Sequence, residues 1–155
     1  MSQYLHKAIT IACEAHQGQS SINGEPYILH PLRLLIKAKS NEERIIAILH
    51  DVIEKTNISL ADLKNKGFDQ NIINSIDSLS RRRGESYIEY IERLMKNKIS
   101  VKIKLLDLAD NIKIHSENND NGIYDAKIIQ YKNACLLYTS PSPRDLSTSR
   151  MPSSA

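Results

Sequence analysis

At 155 residues, with 41% hydrophobic and 25% charged side chains, the chain suits one folded domain with its own core and is too short for two ordinary ones. A net charge of +3 is too mild to suggest a nucleic-acid binder, and two cysteines, Cys13 and Cys135, are too few for a disulfide framework or a thiolate zinc site. No uncharged apolar run approaches the roughly 18 residues of a membrane span and the N-terminus lacks a signal-peptide core, so a cytoplasmic protein without a membrane partner is expected.

Leu5, Ala8, Ile9, Ala12 and His16 recur at helical spacing and predict an amphipathic helix over residues 3–17. Gly18 to Pro26, with Asn23-Gly24 inside it, reads as a loop or tight turn. Pro31 suits the first position of a helix reaching about Lys39, with His30 at its entrance. Asn41 is the expected N-cap of the next helix, which has Glu42 and Glu43 in its first turn and carries His50-Asp51. Ser59-Leu60-Ala61-Asp62 resembles a capping box, and Gly67 should end that short helix. Ile72, Ile73, Ile76 and Leu79 mark one further helix, and Tyr87, Ile88, Ile91, Leu94 and Met95 another. Residues 99–116 form a long apolar segment; its opening, Val101 to Leu105, alternates like a strand but has no partner strand in the sequence. A loop over 118–122 and a last helix from Ile123 to about Tyr138 complete an all-α chain.

Ile, Lys and Asn supply 47 of the first 134 residues and none of residues 135–155, which are rich in Ser, Pro and Arg. Two readings of that stretch stand open. One is a disordered polar tail. The other is a resemblance: Cys135 to Asp145, and the ending Ser149 to Ala155, are similar to an in-frame translation of a sequencing-library adapter. On that reading the domain is residues 1–134, cut within its final helix, and holds 19 basic and 17 acidic residues.

Four residues are potential metal ligands, although any one of them alone reads more plainly as solvent-facing or structurally paired. His30, the doublet His50-Asp51 and Asp107 are imidazoles and carboxylates, the ligand types that suit a divalent cation such as Mn2+, Fe2+ or Zn2+. The doublet interrupts an apolar run from Ile45 to Ile53, where an ionisable pair is costly to bury without compensation. On a helix His50 and Asp51 diverge by roughly 100°, yet both reach one ion when the helix presents an edge. Glu54 falls on that face one turn on, where a carboxylate can orient or deprotonate a water.

The order and spacing of several stretches identify a resemblance to the HD-domain metal-dependent phosphohydrolases, and within them to the RelA/SpoT-type hydrolase domain and its small stand-alone relatives. The stretches are Ala15 to Gln19, Gly24 to Leu32, Leu49 to Thr56, Gly67-Phe68, Leu79 to Arg82 with Gly84 to Tyr87, and Lys104 to Asn111. The resemblance implies a helical bundle in which His30, His50, Asp51 and Asp107 hold the metal, usually Mn2+. It implies hydrolysis of a nucleotide, with removal of the 3′-pyrophosphate from guanosine tetra- or pentaphosphate, (p)ppGpp. Glu54 matches the first acid after the doublet and would position or activate the nucleophile.

Two departures bear on that expectation. Lys55 replaces the second acid of the motif, and it can pair with Asp51 or with a substrate phosphate. Ser20-Ser21-Ile22-Asn23 stands where the family has basic residues that contact guanine. An alternative is therefore a catalytically weakened nucleotide-binding or regulatory module. Arg81, Arg82 and Asn111 are further candidates for substrate contact, with a solvated turn and structural hydrogen bonding as the plainer readings. His16 reads either as a support of the site or as a polar end to its helix. His6 and His115 are expected at the surface, Tyr27 in packing beside His30, and Cys13 in the core.

Overall fold

Apolar residues at helical spacing fold Ser2–Ala15 into α1, which buries Ala8, Ile11 and Ala12. The computed structural model describes residues 2–139, and those residues form nine α-helices and one 3-10 turn, with no strand among them. No helix of the described residues is long and apolar enough to cross a membrane.

After α1 the chain makes a narrow loop closed by an antiparallel bridge between Ser20 and Pro26, with Gly24 at φ +82° near its tip. The loop delivers Tyr27 to α2 (Leu29–Lys37). Pro31 is the third residue of α2, not the first as its ring suggested. Either place lies in the first turn, where the missing N–H has no partner to lose.

Ser40 caps α3 (Asn41–Leu49) in a reciprocal capping box with Glu43, so Asn41 is the first helical residue and not the cap. Ile45, Ile46, Ala47, Ile48 and Leu49 are all fully buried. A helix apolar all round belongs at the centre of a bundle, and α1, α2, α6 (Gln70–Leu79) and α8 (Lys98–Glu117) pack around α3.

The helix expected to carry the His-Asp doublet stops just before it. His50 is the C-cap of α3, and Asp51 is the N-cap of α4 (Val52–Lys55). His50 Nδ1 donates to the Ala47 carbonyl at 2.7 Å, the acceptor the Asp51 N–H would use in an unbroken helix. The doublet thus sits on a loosened turn, and the two side chains need not diverge as on a regular helix.

The Ser59/Asp62 capping box opens α5 (Leu60–Asn65), and Gly67, at φ +96°, follows its end. Asp69 and Ser86 cap α6 and α7 (Tyr87–Met95). The alternating Val101–Leu105 stretch lies inside α8, capped by Asn97. The buried line of α8 runs Ser100, Ile103, Asp107, Asp110, Ile114 at alternating steps of three and four, so two carboxylates occupy positions an apolar stripe would hold.

A 3-10 turn (Asp120–Gly122) leads to α9 (Asp125–Thr139), which packs on α8 and α7. Residues 135–139 continue α9 and bury Leu137 and Tyr138; the remainder of the 135–155 stretch lies outside the described residues. Cys13 is exposed, because α1 turns that side to solvent. His115 is buried, contrary to its expected surface position, between the rings of Tyr124 and Tyr131 at 5.0 and 5.1 Å.

Candidate metal centre

Residues far apart in sequence meet where the start of α2, the end of α3 and the middle of α8 converge. His30, His50 and Asp107 each offer a ligand atom within 4.8 Å of the others, all buried. His30 Nε2 stands 2.8 Å from Asp107 Oδ1 and 3.9 Å from Asp51 Oδ2. His50 Nε2 stands 3.0 Å from Asp51 Oδ2 and 3.5 Å from Asp107 Oδ1. Two ligands at right angles around an ion, each roughly 2.1 Å from it, are about 3 Å apart. His30, His50 and Asp107 are therefore placed to share one ion, and Asp51, 3.0 Å from His50 Nε2, lies beside them.

The tautomers fit as well. His50 Nδ1 is committed to the Ala47 carbonyl, and His30 Nδ1 lies 2.6 Å from Asp110 Oδ2. Both rings thereby keep Nε2 for the shared point. His50 Nε2 is buried without an aligned hydrogen bond despite its closeness to Asp51, which is the state of a nitrogen whose partner is an ion. Asp110 is itself gripped by Arg33, Nε to Oδ1 at 2.8 Å and Nη2 to Oδ2 at 3.0 Å. This carboxylate–imidazole chain fixes ring orientation and raises ligand basicity.

Electrostatics follow the crowding. Burial alone would lower His50, but Asp51 and Asp107 reverse that and raise it to about 10. Burial likewise opposes the charge on Asp107, yet Lys104 and the two imidazoles hold it well below the carboxylate range. Against burial, His30 and Arg33 bring Asp110 down to about 2. Lys104 is raised well above its ordinary value by Asp107, whose Oδ2 lies 3.4 Å away, in spite of its burial.

Two cavities adjoin the centre. The larger, about 740 Å3, has His30, Tyr27, Lys55, Asn111 and Tyr131 in its wall. The smaller, about 310 Å3, has His50, Asp51, Asp107, Glu54, Arg81 and Lys104. Lys127 of α9 reaches both.

The candidates for catalysis and substrate contact divide between them. A Glu54 carboxylate oxygen accepts the Arg81 N–H, which holds it in the smaller cavity. Arg81 lines that cavity, with its guanidinium donating to the Glu85 carbonyl at 3.2 and 3.3 Å. Arg82 lines neither; it donates to Asp77 at 2.8 Å on the outer surface. Asn111 donates to Asp107 Oδ1 at 3.0 Å and faces the larger cavity. Lys55 places its ammonium 4.6 Å from the centre of the Tyr27 ring.

Sequence reasoning missed Tyr27, whose hydroxyl donates to Asp51 and which is therefore more than packing. It also missed Arg33, Lys104 and the α9 residues Lys127 and Tyr131. Arg33 lies three residues after His30 and Lys104 three before Asp107, one helical turn from a ligand, and that spacing was the available clue. His16 is buried and bonds Gln19 Oε1 through Nδ1 at 2.8 Å, a support at the rim of the site.

A bundle of helices that converges two imidazoles and the carboxylates of a His-Asp doublet and a distant aspartate is an HD-type domain. No family model matches the chain. It is 30% identical over 118 residues to a guanosine-3′,5′-bis(diphosphate) 3′-pyrophosphohydrolase of Vibrio cholerae, covering 68% of this chain and 17% of the relative. It is 27% identical over 124 residues to the protein of the same name from Aquifex aeolicus, covering 72% and 18%. The bifunctional (p)ppGpp synthase/hydrolase SpoT of Escherichia coli is 30% identical over 118 residues, covering 68% and 17%. The chain thus spans about a sixth of the length of these relatives. A solved structure of a metazoan ortholog of SpoT that hydrolyzes ppGpp shares the fold, with a TM-score of 0.68 at 22% identity over 83% of this chain and 79% of that one. Over the aligned residues the sequence is thus similar to these (p)ppGpp hydrolases, and the all-α fold is that of the SpoT ortholog.

Proposed function

We propose that this chain is a metal-dependent nucleotide phosphohydrolase whose substrate is (p)ppGpp, from which it removes the 3′-pyrophosphate. One observation carries the reading: both imidazoles have Nδ1 committed to an acceptor and Nε2 turned to a point shared with Asp107 and Asp51. The names of the Vibrio and Aquifex relatives support the substrate.

His30, His50, Asp51 and Asp107 would hold the cation, Mn2+ on this reading. When bound, such an ion supplies Lewis acidity to a phosphoryl oxygen and acidifies a water. The residues of the chain do the rest. Glu54, fixed by the Arg81 N–H, takes a proton from the attacking water as the new oxygen–phosphorus bond forms. The bond between phosphorus and the 3′ oxygen breaks, that oxygen takes up a proton, and pyrophosphate leaves. Lys104 and Arg81 line the same cavity and offset the charge on the phosphoryl oxygens. Tyr27 and Asn111 hold Asp51 and Asp107 in place by hydrogen bonds.

A second reading, a nucleotide-binding regulatory module with weak turnover, is favoured by Lys55, a cation where the resembling family has an acid. A panel of nucleotides incubated with Mn2+ tests both. Pyrophosphate release from ppGpp that is lost in His50→Ala supports the hydrolase. Absence of turnover on every nucleotide sinks it, and tight binding without hydrolysis, with turnover restored in Lys55→Asp, establishes the second reading instead.

A further inference from the structure

Among the described residues, the larger cavity is lined by two lysines, Lys55 and Lys127, and by no carboxylate. Such a wall suits an anion. Hydroxyls at Ser20 and Ser21 and the rings of Tyr27 and Tyr131 complete a lining for a polar, phosphorylated molecule with a flat face.

Lys55 is the better held of the two cations. Its carbonyl accepts from Gln19 Nε2 at 2.8 Å, and Gln19 Oε1 lies 2.8 Å from His16 Nδ1, so a buried histidine anchors the backbone under it. Its ammonium rests over the Tyr27 ring, and Tyr27 is itself oriented by Asp51. A ring face attracts a cation without cancelling its charge. The ammonium therefore stands in the larger cavity, whose wall also holds His30, whereas Glu54 lines the smaller one.

We propose that Lys55 anchors a phosphate group of the substrate remote from the bond that is broken, which makes a second phosphate chain on the nucleoside a specificity requirement. A carboxylate at this position would repel that group; the lysine draws it in. The identity of the nucleoside rests on the function proposed above, whereas the anion site rests on the cavity itself.

Calorimetry on the full chain in chelator separates the two, with guanosine 5′-diphosphate and guanosine as probes. Lys55→Met weakens guanosine 5′-diphosphate by about tenfold, the effect of losing one charge-assisted hydrogen bond. Guanosine is unchanged, Lys55→Arg keeps most of the affinity, and added salt weakens the diphosphate more in the parent protein than in Lys55→Met. Equal diphosphate affinity in parent and Lys55→Met overturns the proposal. So does a parallel loss for guanosine, or a full loss in Lys127→Met with none in Lys55→Met. Lysine-dependent binding in a protein that never hydrolyses ppGpp removes the hydrolase and leaves the anion site. Turnover of ppGpp with a KM insensitive to Lys55→Met does the reverse.

Discussion

Each candidate ligand of the proposed metal centre is aimed by a neighbour outside the set. His30 is the clearest case, because its ring is oriented by Asp110 and Asp110 by Arg33. Replacing Asp110 with Asn keeps the shape and removes the charge. A supporting carboxylate of this kind is worth about 10–100-fold in metal affinity. Asp110→Asn is therefore expected to bind Mn2+ about 10–100-fold more weakly in a direct titration, with its helical circular-dichroism spectrum intact. An unchanged affinity would mean that Asp110 only fills the buried stripe of α8. The candidate ligands stood out in the sequence because charge inside an apolar run is conspicuous. Their supports did not, since Arg33 and Lys104 are ordinary helix residues until the fold shows which way they face.

Between elements, the segment joining α6 to α7 depends on one arginine. Arg93 Nε and Nη2 donate to the Glu85 carboxylate at 2.7 and 2.9 Å, and Nη1 and Nη2 also donate to the carbonyls of Asp77 and Ser80, both at 2.8 Å. That clasp fixes the turn which carries Arg81 to the smaller cavity. Arg93 pulls Glu85 from an ordinary 4.5 down to about 2. A carboxylate lowered by folding contributes stability that is full above its unfolded value and is lost as pH falls through its folded one. The contribution of Glu85 should thus be complete above about pH 4.5 and fade towards pH 2. Denaturant unfolding of Glu85→Gln is expected to show a lower midpoint than the parent at pH 7, with the gap closing across that window. A gap that stays constant down to pH 2 would assign the loss to packing. Helix boundaries were readable here wherever a polar cap announces them, as at Ser59 and Gly67. They were misread by one residue at Ser40, where Asn41 offers an equally good cap and only the reciprocal bond from Glu43 decides. The break at His50 was not legible, because it arises from a side chain taking a backbone acceptor.

For the molecule as a whole, the centre is where separate helices are tied together. His30 comes from α2, the doublet from the junction of α3 and α4, and Asp107 from α8. The helical class and the candidate ligands follow from periodicity and residue type, but the two cavities do not, because α9 forms part of both walls and nothing in its sequence says where it packs. An ion that binds this convergence and not the unfolded chain must stabilise the fold by mass action. At a free Mn2+ concentration about 100 times its Kd, the gain is about 2.7 kcal/mol. For a chain of this length that corresponds to a rise in Tm of roughly 5–10 °C. Thermal unfolding with and without chelator measures it directly. Asp107→Ala is expected to abolish the rise whatever its own Tm, because the test compares two conditions of one variant. A metal-induced rise that survives Asp107→Ala would place the ion elsewhere, and an absent rise in the parent protein would show that these four side chains compensate one another's charge without a cation.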